Sequence, residues 1–164
     1  MGDFEVAEGY APGSLGRVAS LHGSYYHEHW GFGVFFEAKV ATELARFVEG
    51  HEESRDRLLL ALADGSVEGS IAIDGSDADT LGAHLRWFIV SDALRGKGVG
   101  QLLIERAIDF CEDCGYERIY LWTFAGLDAA RHVYEKHGFA LAEQRLGDQW
   151  GREVEEQRFE LRLR

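Results

Sequence analysis

The chain has 164 residues, 46% of them hydrophobic, so a single domain over residues 1–164 with a sizeable core is expected. The formal net charge of −12 argues against nucleic acid as a partner and favours small cationic partners. No run of about 18 apolar residues could span a membrane. The N-terminus lacks the features of a signal peptide, and a cytoplasmic location is therefore expected.

The N-terminal part of the chain predicts a short strand and two helices. Residues Phe4 to Ala7 alternate, which is typical of a strand. Ser14 is a candidate N-cap for a helix that runs to about Trp30. Apolar residues between Phe36 and Phe47 then recur at spacings of four and three, which predicts a second, amphipathic helix.

The rest of the chain predicts six strands and two helices. The strands are Arg57–Ala63, Val67–Ile73, Ala83–Val90, Arg118–Thr123, Ala140–Arg145 and Glu156–Leu163, and the helices are Gln101–Cys114 and Leu127–His137. Asp64-Gly65 between the first two of these strands is a strong hairpin signal. The helical crossover makes the central strand and the next one parallel, so we expect a mixed α/β sheet with helices on both faces.

A glycine-rich turn separates the central strand from its helix. Its sequence is Arg95-Gly96-Lys97-Gly98-Val99-Gly100. Backbone N–H groups at such a turn can hold a phosphate at the positive end of the helix dipole. The spacing fits neither the G-x-G-x-x-G fingerprint of dinucleotide sites nor the Gly-Lys-Ser/Thr of a P-loop. Two interpretations remain: a phosphate-binding loop with the pattern Arg-x-x-Gly-x-Gly, or an ordinary connection between a strand and a helix.

A second motif favours the phosphate loop. The segment Ala130 to Phe139 reads Ala-x-x-x-Tyr-x-x-x-Gly-Phe and follows an apolar strand. Together the two motifs resemble the GNAT N-acetyltransferase superfamily, in the order and spacing that this family shows. The chain also resembles the acetyltransferase domain found fused to MarR-type regulators, although no helix-turn-helix segment is expected here.

The resemblance implies a fold and a cofactor site. In the GNAT fold a mostly antiparallel sheet splays between strands four and five at a bulge, and acetyl-CoA (coenzyme A) lies in the gap. By this resemblance the pyrophosphate is held by Arg95, Gly96, Lys97, Gly98, Val99 and Gly100, and the pantetheine arm pairs with the backbone of Phe88, Ile89 and Val90. Tyr134 matches the tyrosine that protonates the leaving thiolate. Many members have Asn where this chain has Leu127, which puts one pantetheine hydrogen bond in doubt.

The acceptor site is expected near the two N-terminal helices. The segment Tyr25 to Gly33 is dense in aromatic residues, which either tie the helices to the sheet or wall a pocket. By resemblance this connection covers the acetyl end of the cofactor. Aromatic faces and carboxylates attract ammonium groups, so we expect an amine acceptor to contact Tyr25, Trp30, Glu28 and Glu37. His84, Glu28, His29 and Glu37 are candidates for the general base.

These observations predict an enzyme that transfers acetyl directly from acetyl-CoA to a primary amine of a small molecule or peptide. The alternative is a noncatalytic acyl-CoA sensor or interaction module on the same fold. Cys111 and Cys114 close a helix without a second pair, and His27 and His29 lack a third ligand, so no metal site is expected. Edge strands near the C-terminus allow a homodimer.

Overall fold

A seven-stranded sheet extends through residues 3–163, which are the residues that the computed structural model describes. The strands are β1 (Glu5–Glu8), β2 (Arg57–Ala63), β3 (Ser66–Asp74), β4 (Ala83–Val90), β5 (Arg118–Phe124), β6 (Ala140–Gly147) and β7 (Val154–Arg162). They lie in the order β1-β2-β3-β4-β5-β7-β6, antiparallel except for the parallel pair β4 and β5. The predicted mixed, mostly antiparallel sheet is confirmed.

The described residues form four α-helices. They are α1 (Ser14–Trp30), α2 (Val34–Glu49), α3 (Val99–Asp113) and α4 (Asp128–Lys136). The prediction that Ser14 is the N-cap of α1 is wrong, because Gly13, with a φ of 88°, holds that position. Instead, the Ser14 hydroxyl accepts a hydrogen bond from the backbone N–H of Ala11 at 3.3 Å. No helix within residues 3–163 is long and apolar enough to cross a membrane.

The helices cover both faces of the sheet. Leu60 of β2 lies in an apolar cluster with Val18 of α1 and Leu44 of α2. Its neighbour Leu59 points the other way and packs with Leu103 of α3, in a cluster that α4 joins. Because successive side chains of a strand alternate between faces, burial on both sides explains why β2 is an unbroken apolar run.

A bulge interrupts β4 at its centre. Ser70 of β3 pairs with Ile89 of β4, and Ala72, two residues further along β3, pairs with Arg86, which is three residues from Ile89. β4 therefore contains one extra residue at this point. Trp87 in this step has a φ of 48°, which is uncommon outside glycine. The Ser70 hydroxyl donates to the Trp87 carbonyl at 2.6 Å and fixes the bulge. As a result, the side chains beyond it change faces relative to those before it.

The sheet opens between β4 and β5. The two strands pair at Ala83–Ile119 and His84–Tyr120, and the described residues give no further register between them. Beyond His84, the edge of β4 that faces β5 therefore has backbone N–H and C=O groups without a strand partner. Such an opening at the centre of a sheet is a place where a ligand can supply the missing hydrogen bonds. The splay expected between strands four and five is confirmed.

Candidate active site

The turn from β4 to α3 has the backbone of an anion-binding loop. Gly96 and Gly98 have φ values of 81° and 77°, and no atom lies within 4 Å of the position that a Cβ would take on either. Gly98 is the N-cap of α3, and no side-chain hydrogen bond caps this helix. The first N–H groups of α3 therefore lack intrahelical and capping partners, and they can bind an anion.

A cavity of about 760 Å³, here called the loop groove, extends from this turn to the gap between β4 and β5. It is bounded by the end of α1, by β4, by the start of α3 and by the start of α4. The predicted site residues that line it are Tyr25, Trp30, Phe88, Ile89, Val90, Arg95, Gly96, Gly98, Val99 and Gly100. Lys97 lies in the same turn but is exposed and does not line the groove.

Aromatic side chains from α1 form one wall of the loop groove. The indole of Trp30 lies so close to Gly126 that a Cβ on this glycine would collide with it. The guanidinium of Arg95 lies over the Tyr25 ring, 5.6 Å from its centroid, and donates to the Val90 carbonyl at 2.9 Å. Tyr25 and Trp30 thus form part of the wall of the loop groove, whereas the sequence analysis expected them to contact the amine acceptor.

A second cavity of about 370 Å³, here called the inner cavity, lies between the α1–α2 pair and the sheet. Tyr26, Phe88, Leu127 and Ala130 line both cavities. The two cavities therefore meet at the gap in the sheet. Leu127 is the N-cap of α4 and makes no side-chain capping bond there.

Tyr134 lines the inner cavity close to the junction. Its ring centroid is 5.9 Å from that of Phe88, and its side chain is buried in the cluster beneath α3 and α4. Burial, with a smaller contribution from Tyr26, raises the pKa of Tyr134 well above its usual value. The phenol is therefore protonated at neutral pH and can donate a proton.

Two histidines, the buried His22 and the half-buried His84, also line the inner cavity. Burial lowers the pKa of His22 to about 4, although its Nδ1 donates to the Val18 carbonyl at 2.9 Å. Burial and the cation of Arg86 lower the pKa of His84 to about 3, and its ring stacks on Tyr120. Both are neutral near pH 7 and too weakly basic to deprotonate an ammonium group. The lowered pKa of His84 thus gives no support to this residue as general base.

The far wall of the inner cavity carries a charged cluster. Lys39 Nζ lies 2.7 Å from Glu43 Oε2, and the other oxygen of Glu43 pairs with Arg86. The Arg86 guanidinium is 3.7 Å from the Asp74 carboxylate and lies over the Trp87 ring, 4.2 Å from its centroid. Stacking on Trp87 and pairing with Glu43 together fix the direction of the guanidinium.

The β6–β7 connection closes another side of the inner cavity with Gln149 and Trp150. The buried Glu156 carboxylate anchors it by accepting from the Gln149 N–H at 3.0 Å and side-chain amide at 2.9 Å, and from Arg145 Nε at 3.1 Å. Burial alone would raise the pKa of Glu156, but these hydrogen bonds and the Arg145 cation lower it overall. The Trp150 ring packs 5.5 Å from Phe124.

Glu28 and Glu37 are exposed and line neither cavity. The Glu37 carboxylate instead lies against the backbone of Gly23 on α1. The sequence-based prediction missed Lys39, Glu43 and Arg86. Signals for them exist: a Lys–Glu pair at i,i+4 spacing beside the apolar stripe of α2, and a polar residue within an apolar central strand.

Comparison with curated proteins finds N-acetyltransferases. The chain is 28% identical over 135 residues to the "Putative phosphinothricin acetyltransferase YwnH" of Bacillus subtilis (strain 168), covering 77% of each chain. It is 26% identical over 137 residues to the human N-acetylaspartate synthetase, covering 83% of this chain and 45% of that protein. The chain thus spans less than half the length of the human relative.

Solved structures share the fold. An acetyltransferase of the GNAT family from Staphylococcus aureus Mu50 superposes with a TM-score of 0.78 at 16% identity over 99% of this chain and 100% of its own. YncA from Salmonella typhimurium, solved with its cofactor acetyl-CoA, gives 0.71 at 18% identity over 99% of this chain and 95% of its own. A model of the acetyltransferase (GNAT) family matches residues 17–139, more than half of the sequence. The chain therefore belongs to the acetyltransferase (GNAT) family.

Proposed function

We propose that this protein transfers the acetyl group of acetyl-CoA directly to a primary amine of a small molecule. The observation that carries this proposal is the junction of the loop groove and the inner cavity at the gap between β4 and β5, beside Tyr134. Two cavities that meet at one opening allow two substrates to approach each other from opposite sides. Their proximity replaces a collision in solution with a bound, oriented pair.

The loop groove fits coenzyme A in shape and chemistry. The turn around Gly96 and Gly98 leaves room for close approach of a phosphate, and the uncapped start of α3 supplies N–H donors. The unpaired edge of β4 at Phe88 to Val90 offers backbone groups to the amides of a pantetheine arm. Residues Arg95 to Gly100 and Phe88 to Val90 are our assignment for the cofactor site.

Tyr134 is our candidate for the general acid. It is protonated, lies near Phe88 at the junction, and faces the inner cavity. Its hydroxyl would protonate the thiolate that leaves as the amide bond forms. Acetyl-CoA supplies an acetyl group that is already activated, so transfer needs no covalent intermediate with the protein.

The acceptor would occupy the inner cavity. A volume of about 370 Å³ bounded by α1, α2, the sheet and the β6–β7 connection favours a small amine over a protein surface. The prediction that Glu28 and Glu37 bind the amine stays a prediction, and their exposed positions outside both cavities give it no support.

One sheet through residues 3–163 supports our proposal of a single domain. The homodimer also stays a proposal.

The experiment that tests this function follows free thiol release from acetyl-CoA with a panel of neutral, acidic and basic primary amines. We expect at least one class of amine to accelerate thiol release over the hydrolysis background. The matched control is Tyr134→Phe, which keeps the shape of the site. Coenzyme A binding without amine-dependent release for any class would favour the noncatalytic acyl-CoA module.

A further inference from the structure

Basic side chains line one wall of the inner cavity, although the chain as a whole is acidic. The protein carries a formal net charge of −12. Among the described residues that line the inner cavity, the charged side chains are Lys39, Arg86 and Glu43, since His22 and His84 are neutral near pH 7. Asp74 does not line the cavity, but it pairs with Arg86 at 3.7 Å, so the cluster as a whole is balanced and the wall presents the N–H donors of two cations to a ligand.

Arg86 is placed to bind a further anion. Its guanidinium has five N–H donors in a planar fork, and Glu43 and Asp74 lie at 29% and 20% side-chain exposure beside it. These two carboxylates cannot use every donor of the fork. Stacking on Trp87 holds the guanidinium in one plane, so a carboxylate that binds it meets a donor set already oriented.

Lys39 lies on the opposite side of Glu43, on α2. Its ammonium group has three donors, and Glu43 accepts at 2.7 Å from this group. Lys39 and Arg86 therefore flank one carboxylate, and an acid group entering the cavity can contact both cations. Glu43 is already neutralised by these cations, which makes it a poor partner for an ammonium ligand.

The position of this cluster relative to the reaction site indicates the shape of the ligand. Arg86 and Phe88 both line the inner cavity, on either side of the bulged residue Trp87. A small molecule with its amine beside Phe88 can therefore place an acid group at Arg86.

We propose that the acceptor is a primary amine that also carries a carboxylate, with the carboxylate bound by Arg86 and Lys39 and the amine directed towards Phe88 and Tyr134. This inference rests on the proposed acetyltransferase function and names its acceptor class. An amino acid or a short acidic peptide has this chemistry. A polyamine lacks it and would place a second cation against Lys39 and Arg86.

The test uses acids paired with their neutral amides of nearly equal shape: alanine with alaninamide, aspartate with asparagine, and glutamate with glutamine. Acetylation is followed by thiol release, and binding is followed by calorimetry with coenzyme A present. We expect at least one acid to exceed its amide tenfold or more in both kcat/KM and affinity. The alanine pair reports on the α-carboxylate, and the other pairs report on a side-chain carboxylate.

Arg86→Gln and Lys39→Gln should each reduce this preference at least several-fold while coenzyme A affinity stays unchanged. Arg106→Gln, which removes the same charge from the exposed face of α3, should leave the preference intact. The inference is overturned if every acid binds and reacts no better than its amide, or if both variants keep the full preference. If neutral or basic amines are acetylated instead, the acetyltransferase function stands and this acceptor class falls. If no amine reacts, calorimetry still decides whether the acids bind.

Discussion

Gly98 has no side chain, which allows the left-handed backbone at the start of α3 and also leaves room for the ligand. We predict that Gly98→Ala weakens coenzyme A binding at least tenfold, equivalent to about 1.4 kcal/mol. No protein atom lies within 4 Å of the added Cβ, so the loss would come from strain in the turn and from the approaching phosphate. Calorimetry measures it.

Gly115 offers a matched control for that variant. It follows the C-terminal end of α3 with a φ of 78° and equally open space around its Cβ position, and it does not line the loop groove. Gly115→Ala should carry a similar strain, about 1–2 kcal/mol of stability, without loss of coenzyme A affinity. Equal affinities in the two variants would remove the phosphate site from the α3 turn.

The hydroxyl of Tyr134 is predicted to act on the leaving thiolate. Tyr134→Phe should lower kcat while leaving coenzyme A affinity nearly unchanged, because the ring keeps its contacts with Phe88 and the buried cluster. General acids typically contribute about 10²–10⁴-fold, and a good leaving group such as a thiolate places this case at the lower end. Wild-type kcat at saturating acceptor would make Tyr134 a packing residue.

The lowered pKa values of His22 and His84 predict how stability depends on pH. With pKa values of about 4 for His22 and about 3 for His84, against 6.5 in the unfolded chain, the unfolded state binds more protons below pH 6.5. Stability is therefore complete above pH 6.5 and falls as pH drops towards 4, by up to about 1.4 kcal/mol per pH unit for each histidine. Carboxylates with lowered pKa values, such as Glu156, add to this loss only at lower pH.

Urea unfolding between pH 7 and pH 4.5 measures this dependence, and His22→Gln isolates one contribution. The side chain that replaces His22 does not titrate, so the stability of the variant should change less steeply with pH than that of the wild type. The charged groups that face His84 are those of Arg86 and Asp74. Parallel slopes for the two proteins would mean that His22 titrates normally in the folded state.

At the scale of elements, the β6–β7 connection is predicted to position one wall of the inner cavity. Glu156→Gln removes the charge that holds Gln149 and Arg145 while keeping the size of the side chain. We expect the acceptor KM to rise several-fold, with coenzyme A affinity unchanged because Glu156 does not line the loop groove. Steady-state kinetics with each substrate varied in turn measures both. A change confined to coenzyme A would contradict this role.

Most elements could be predicted from periodicity and turn chemistry. Asp64 and Gly65 have φ values of 52° and 76°, as the hairpin signal requires, and glycines follow α3 and α4. The bulge at Trp87 could be inferred only from the family, since nothing in a run of β-forming side chains marks which residue takes a positive φ. The resulting change in the face of the sheet to which the β4 side chains point could therefore not be predicted from local sequence either.

The residues of the candidate site also differ in how far local sequence can predict them. The phosphate turn depends on local sequence, and the residues predicted for it line one groove, apart from Lys97. The wall of the inner cavity depends on contacts between distant segments, such as Arg86 with Glu43. Sequence reasoning chose Glu28 and Glu37 because they lie near aromatic residues in the chain, whereas both side chains are exposed outside the cavity and that of Glu37 lies against Gly23 of α1.

For the whole molecule, one sheet and helices on both its faces predict a single cooperative unfolding transition. Saturation with coenzyme A at about 100 times its Kd should add about 2.7 kcal/mol of stability. For a chain of this size that corresponds to a rise in Tm of roughly 5–10 °C. Differential scanning calorimetry measures both, and two separate transitions would contradict the proposal of one domain.

The central claim is direct transfer of acetyl between two substrates that meet at the gap between β4 and β5. The most direct measurement mixes the protein with acetyl-CoA labelled in the acetyl group and a reactive primary amine, then counts label on the amine, free coenzyme A and label on the protein. We predict equal amounts of acetylated amine and free coenzyme A, with no label retained by the protein. Label that accumulates on the protein, or coenzyme A that binds and is never released with an acetylated amine, would contradict the account.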